Sequence, residues 1–240
     1  MYEPRHYRLL IKEKDLVPFN VVVKETDLYV QAGRNLKKKA LQVVLKQRAL
    51  LEGYIERHPE FATALEPFPI GDDAPYIVKE MAGAAEKVGV GPMAAVAGAV
   101  AECVGKELLN FSREVIVENG GDIFLKNMKT RVVGIYAGKA PFTERVALRI
   151  EPGETPLGVC TSSGTVGHSL SFGRADAAIV LSPSTPLADA AATAIGNLVT
   201  EEDDIYRGIE FAEGIEGLKG VVIIKDDKMA LWGEINLVRG

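Results

Sequence analysis

An aspartate and a threonine four residues apart form the most chemically suggestive pair in this sequence. Asp189 and Thr193 stand in an alanine-rich run that follows Thr185 and Pro186. Thr185 is a suitable N-cap and Pro186 suits the first helical position, so we predict a helix over residues 186–199. Residues four apart share one helix face, and a carboxylate with a hydroxyl can offer two oxygens to magnesium, which takes few protein ligands and completes its shell with water and phosphate.

The same pair also has a purely structural interpretation. An acid such as Asp189 in the first turn of a helix is stabilised by the helix dipole. A helical threonine such as Thr193 often bonds the carbonyl four residues back along the chain. Spacing alone leaves the metal site and the structural role open.

A second candidate site is the glycine turn Asn119-Gly120-Gly121-Asp122, which follows a predicted strand at residues 114–118. Paired glycines allow positive φ and expose backbone N–H groups, as in loops that hold phosphates or ring edges. Asn-Gly is also a common hairpin signal, so a simple tight turn is the alternative. Asp122, directly after the glycines, strengthens the interpretation as a site.

A histidine near the predicted metal helix could act as a general base. His168 lies in the turn-rich stretch between two predicted strands, and an imidazole titrates near neutral pH. The alternative is a loop histidine that only forms hydrogen bonds.

The helices and strands that would position these residues are grouped in blocks along the chain. β-rich runs and helical patterns are grouped rather than strictly alternating, which predicts an α+β fold of antiparallel sheets with packed helices. A proline followed by alanines opens the helices predicted at residues 92–109 and 186–199, a hint of two related halves. The predicted strands are 7–12, 19–24, 28–31, 114–118, 123–125, 131–137, 145–150, 177–181, 221–224 and 229–237, and the other predicted helices are 35–57, 60–65, 75–87 and 201–213.

The composition of the chain argues against a nucleic-acid-binding, exported or membrane protein. The 240 residues are taken as a single domain, residues 1–240, and the net charge of -5 with interleaved signs gives no nucleic-acid footprint. Two cysteines, Cys103 and Cys160, form no disulfide framework, and the charged N-terminus contains no export signal. The longest candidate span is about 14 uncharged residues, too short for a bilayer. We therefore expect a cytoplasmic protein without a membrane or nucleic-acid partner.

Three pieces of the chain together resemble the ApbE-type FAD:protein FMN transferases. They are the Ala/Gly-rich segment 91–101, the turn Asn119 to Asp122 with Ile123, and the pairing of the Thr-Ser-Ser-Gly segment with the Ala-Asp helix. The resemblance covers roughly residues 88–199 and implies an ApbE-like fold, a bound FAD and magnesium on its pyrophosphate. It implies a metal site at Asp189 and Thr193, a catalytic role for His168, and cofactor contacts from Asn119, Gly120, Gly121, Asp122, Thr161, Ser162, Ser163 and Gly164.

The sequence departs from the transferases of that family at three places. Their Lys-Gly step corresponds here to Ala97-Gly98, and His168 lacks the acid-proline sequel that follows the family's histidine. The Thr-x-Gly-Thr flavin loop has no counterpart in residues 16–30. We therefore expect flavin transfer to a protein acceptor to be weak or absent, and the chain resembles a short cytoplasmic branch of the superfamily.

Two functions remain open from the sequence. One is an enzyme or nucleotide-binding protein that holds a flavin or another pyrophosphate-containing small molecule with magnesium, with an acceptor protein as a second partner. The other is a non-catalytic accessory protein, because the resemblance associates this branch with anaerobic sulfur assimilation toward homocysteine. In that case Cys160 would carry sulfur or fill a strand interior. The oligomeric state, a homodimer included, is left open.

Overall fold

A computed structural model describes residues 15–165 and 172–240 of the chain. Their helices are α1 (Lys37–Arg57), α2 (Tyr76–Val88), α3 (Val96–Leu108), α4 (Thr185–Leu198) and α5 (Asp204–Glu213). Their strands are β1 (Val17–Val23), β2 (Thr26–Ala32), β3 (Val115–Asn119), β4 (Asp122–Lys126), β5 (Arg131–Gly134), β6 (Val146–Ile150), β7 (Leu157–Ser162), β8 (Ala177–Ser182), β9 (Gly220–Lys225), β10 (Lys228–Gly233) and β11 (Leu237–Arg239).

The strands form two antiparallel sheets. The larger sheet has eight strands in the order β1-β2-β3-β4-β7-β8-β9-β10, and the smaller has three in the order β11-β6-β5. One hydrophobic cluster fills the space between the helices and one face of the large sheet, and another lies between its opposite face and the small sheet. This layered arrangement confirms the predicted α+β class with antiparallel sheets and packed helices.

Side chains alternate between the two layers because successive residues of a strand point to opposite faces. On β7, Val159 packs with the small sheet, whereas Cys160 packs with the helices. On β8, Ile179 and Val180 divide in the same way. The central strands are therefore buried on both sides, which explains why they read as nearly continuous apolar runs.

The small residues of α3 and α4 allow close packing. A Cβ on Gly98 would lie 2.6 Å from the Thr185 carbonyl oxygen, and a Cβ on Gly158 would lie 2.6 Å from the Thr185 Cα. Glycine at these two positions brings α4 against both α3 and β7. The alanine-rich character of α4 thus serves tight packing, and only part of its surface remains available to a ligand.

Several predicted boundaries require correction. Ser184, not Thr185, is the N-cap of α4, and its side chain accepts a hydrogen bond from the Leu187 N–H. The predicted helix at 92–109 begins as a separate 3-10 turn, Pro92–Ala95, before α3. The predicted strand 229–237 is interrupted at Gly233, where φ is 83°, and Leu237 begins β11, which joins the other sheet. The strand predicted at 7–12 lies outside the described residues.

Among the described residues, no single helix is long and apolar enough to span a bilayer. The pair Tyr76–Val88 and Pro92–Leu108 passes the same length and composition test only when taken together, and it is bent by 108°.

Candidate functional site

The glycine turn forms one part of the candidate site. Gly120 and Gly121 have φ of 70° and 109°, and they connect β3 to β4 as a two-residue hairpin turn. The Asn119 Nδ2 donates to the Ala97 carbonyl at 3.0 Å, which ties the hairpin to the start of α3. No atom lies within 4 Å of where a Gly120 Cβ would stand, so this backbone faces open space.

The Asp189 side chain, on α4, bonds to the same first turn of α3. Its Oδ2 accepts a hydrogen bond from the Gly98 N–H at 2.8 Å. Asn119 and Asp189 therefore bond to two consecutive residues, Ala97 and Gly98. The structure thus brings the predicted glycine turn and the predicted metal helix together on one side of the molecule.

Two buried carboxyl groups influence each other at this site. Burial raises the pKa of Asp122 to about 7, and the Glu118 charge adds to the rise, while hydrogen bonds from the Cys160 thiol and the Thr161 N–H oppose it. The pKa of Asp189 is raised well above its usual range, first by burial and then by the negative charge of Asp122. A cation near these groups would relieve both effects.

Cys160 belongs to the same cluster but is not a reactive thiol. It lies on β7 next to Val159, which pairs with Ile123 of β4, and it is fully buried. Burial raises the pKa of this thiol well above its usual value, and the charges of Asp122 and Asp189 raise it further. A protonated, enclosed thiol is a poor nucleophile, which favours the interior-filling role over sulfur transfer.

The Thr-Ser-Ser-Gly segment continues from β7 along the end of α4. The Thr161 N–H donates to Asp122 Oδ1 at 3.3 Å, so the segment begins beside the glycine turn. A Cβ on Gly196 of α4 would lie 3.3 Å from the Ser162 Oγ. The Ser163 Oγ accepts from the Thr165 N–H at 3.2 Å, which leaves its hydroxyl in a half-buried turn.

Gly164 ends this segment in a close contact. Its N–H donates to the Ala175 carbonyl at 2.9 Å. A Cβ at this position would lie 2.2 Å from the Gly173 carbonyl oxygen. The residue is thus needed for close approach of two backbones, whether or not it also contacts a cofactor.

Thr193 and His168 complete the predicted set. Thr193 is half-buried on α4, one turn beyond Asp189, as the four-residue spacing requires. His168 lies outside the described residues. Within 15–165 and 172–240, no three His, Cys, Asp or Glu side chains cluster as a metal site, so a cation here would depend on mixed oxygen ligands.

Sequence reasoning missed one buried acid that shapes the site. Glu102 of α3 accepts the Thr185 N–H at 2.7 Å and pairs with Lys106. It therefore holds the first residue of α4 in place. The available signal was an acid that directly follows the Ala/Gly-rich part of this helix.

Comparisons with known proteins identify the family of this chain. A sequence model of the family described as AbpE bacteria matches residues 8–213. The UPF0280 protein of Methanocaldococcus jannaschii is 43% identical over 221 residues, covering 90% of this chain and 90% of the relative. The UPF0280 protein of Methanocella arvoryzae is 43% identical over 215 residues, covering 89% and 87%.

Solved structures share the fold at low sequence identity. The flavinyl transferase ApbE of Pseudomonas stutzeri in its apo form superposes with a TM-score of 0.58 at 15% identity, covering 90% of this chain and 94% of the other. A variant of the flavin transferase ApbE from Vibrio cholerae gives 0.58 at 14% identity, covering 90% and 96%. The similarity in architecture thus extends over nearly the whole chain.

Proposed function

The chain belongs to the family described as AbpE bacteria, and from this premise we propose that it binds a pyrophosphate-containing nucleotide, FAD in the first instance, together with magnesium. The ligand would lie where the glycine turn, the start of α3 and the Asp189 face of α4 come together. Related structures of flavin transferases support the choice of a flavin nucleotide.

One observation carries this proposal. Asn119 and Asp189 come from motifs far apart in the sequence, yet they bond to the consecutive residues Ala97 and Gly98 at 3.0 and 2.8 Å. The hairpin backbone at Gly120 faces open space beside them. The Gly121 N–H is already bonded to the Glu118 Oε1 at 2.9 Å, so the turn would offer the Gly120 N–H. This N–H and a carboxylate-held cation together would suit a pyrophosphate, because they would meet its charge from two sides.

The chemistry of the donor set fits magnesium. Asp189 would supply a carboxylate oxygen and Thr193 a hydroxyl oxygen, both of the hard type that this cation takes. Burial and the Asp122 charge raise the pKa of Asp189, so a bound cation would replace its proton and stabilise the ionised carboxylate. Magnesium, when bound, neutralises negative charge on phosphate oxygens.

The remaining side chains would orient the nucleotide. The Asn119 amide fixes the Ala97 carbonyl and thereby the first turn of α3. In this proposal the Ser163 hydroxyl and the Gly120 backbone would bond to the ligand. We assign His168 the role of general base for any reaction at the phosphoanhydride, since imidazole can accept a proton near neutral pH.

The accessory-protein alternative receives less support in its sulfur-carrying form. The Cys160 thiol is enclosed and its pKa is raised, so it would neither attack nor carry sulfur readily. A protein that binds a nucleotide without catalysis could use the same site at the glycine turn, α3 and α4. A catalytic and a non-catalytic protein would differ in the rate of reaction at the nucleotide, not in their affinity for it.

Calorimetric titration of FAD with and without magnesium tests the proposal. Asp189→Asn keeps an acceptor for the Gly98 N–H but removes the charge, and we expect it to weaken magnesium-dependent binding at least about tenfold, since losing even an indirect metal partner costs roughly that much. Thr193→Val should weaken it less. Asp72→Ala, on an exposed loop, is the matched control and should bind as the wild type does. Equal affinity in wild type and Asp189→Asn, or no effect of magnesium, would refute the metal site.

A further inference from the structure

An exposed phenylalanine is held on a fixed backbone beside the end of α4. The Phe172 side chain is 64% exposed. Its N–H donates to the Asn197 Oδ1 at 2.8 Å, and the Arg174 N–H donates to the Val199 carbonyl at 2.7 Å. The backbone of this segment is therefore bonded to α4 on both sides of Gly173, although the ring itself faces solvent.

Gly173 shows how closely the segment is packed. A Cβ there would lie 1.8 Å from the Gly196 carbonyl oxygen, so only glycine permits this contact with α4. On its other side, Gly164 of the Thr-Ser-Ser-Gly segment needs glycine for the same reason, since its Cβ would lie 2.2 Å from the Gly173 oxygen. Gly173 is thus packed between α4 on one side and Gly164 on the other.

The helix α4 connects Phe172 to the proposed metal ligands. Asp189, Thr193 and Asn197 follow one another at intervals of four residues, so they form one polar face of the helix. Asn197 lies about 12 Å along the axis from Asp189 at the usual rise per residue. Because the Phe172 N–H donates to Asn197, the Phe172 backbone lies at the far end of this polar face and its side chain is exposed there.

We propose that Phe172 is a specificity-determining residue that stacks on the planar ring of the nucleotide whose pyrophosphate binds at Asp189 and Thr193. This inference rests on the proposed function and adds that the site recognises the planar ring of the nucleotide as well as its pyrophosphate. A phenyl ring with a fixed backbone and an open face is suited to stacking, because little freedom is lost when a ring covers it. The sugar or ribityl linker of such a nucleotide is long enough to carry its ring one or two helical turns from the phosphates.

Two probes separate ring recognition from phosphate recognition. Calorimetry with magnesium would measure FAD and inorganic pyrophosphate on the wild type, Phe172→Ala, Phe172→Leu and Phe172→Tyr. We expect Phe172→Ala to lose about tenfold in FAD affinity, a typical loss for one stacked base, while pyrophosphate affinity stays within about twofold. Phe172→Tyr should restore FAD binding. Phe172→Leu, which keeps apolar area but no ring, should not.

Tyr206→Ala is the matched control, because Tyr206 is an exposed aromatic residue on α5 and should leave both affinities unchanged. Unchanged FAD affinity in Phe172→Ala, with magnesium-dependent binding intact in the wild type, would overturn this inference alone. Parallel losses of FAD and pyrophosphate would also overturn it, since they would reflect a disturbed loop. Failure of the wild type to bind either probe would overturn this inference together with the proposed function.

Discussion

The Asp189 carboxylate accepts the Gly98 N–H at 2.8 Å across a separation of 91 residues in the chain. This bond joins α4 to the first turn of α3, where the Asn119 amide also bonds to the preceding carbonyl. The two helices come this close because position 98 has no side chain. The geometry of the candidate metal site therefore depends on a glycine that is not itself one of the proposed metal ligands.

Gly98→Ala should distort the site and destabilise the protein. Its Cβ would lie 2.6 Å from the Thr185 carbonyl oxygen and 2.9 Å from the Asp189 Cβ, so α3 and α4 must move apart. Overpacking of this kind costs about 1–3 kcal/mol of unfolding free energy. Urea unfolding measures the loss, and FAD titration should show weaker magnesium-dependent binding.

Gly83→Ala provides the matched helix control for that experiment. A Cβ on Gly83, an exposed position of α2, would meet no atom within 4 Å. Alanine is the better helix former, so unfolding free energy should rise by about 0.5–1 kcal/mol. If Gly98→Ala were as stable as Gly83→Ala, the close approach of α3 and α4 would be wrong.

Asp122→Asn should change how stability depends on pH. The pKa of Asp122 is raised from 3.8 to about 7 in the folded protein, so between pH 4 and 7 the folded state binds more protons than the unfolded state. Stability from this group therefore falls as pH rises through that window, by up to roughly 4 kcal/mol, and is constant above it. Asparagine does not ionise, so the variant does not lose this stability as the pH rises. Its unfolding free energy relative to wild type should increase from pH 4 to 7 in urea melts, and a constant difference would contradict the assignment.

Both cysteines should resist thiol reagents in the native protein. Cys160 is fully buried, and burial with the Glu102 charge raises the pKa of half-buried Cys103 to about 12. Reaction needs the thiolate, so a chromogenic disulfide reagent at pH 8 should react slowly until the protein is unfolded. Unfolding in denaturant should release both thiols. Rapid labelling of Cys160 in the folded state would revive a sulfur-carrying role.

Flavin transfer to a protein acceptor should be weak or absent even where FAD binds. Transfer requires the acceptor hydroxyl, a base and the metal-bound phosphate in near contact, and losing part of such a set costs orders of magnitude in rate. The sequence resemblance implies that Ala97 replaces the lysine of the transferases, and the Ala97 carbonyl accepts a hydrogen bond from Asn119. Incubation with FAD, magnesium and a flavin-acceptor domain, followed by in-gel fluorescence, measures transfer. Strong labelling that disappears in Asp189→Asn would contradict this prediction.

The sequence by itself determined most of the secondary structure and the local form of the motifs. Asn119-Gly120-Gly121-Asp122 specifies a tight hairpin, because paired positive φ angles are accessible to glycine. The spacing of Asp189 and Thr193 places them on one helix face for the same local reason. These outcomes depend on interactions within a few residues, which a single sequence exposes directly.

Only the tertiary structure decided which motifs meet. Three contacts join distant segments: the bond of Asp189 with Gly98, the bond of Asp122 with the Thr161 N–H, and the pairing of β11 with β6 in the small sheet. Their pairing depends on strand register and on how closely backbones can approach at Gly98 and Gly158. Local preference contains no information about such partners, since many registers satisfy the same apolar pattern and packing selects among them.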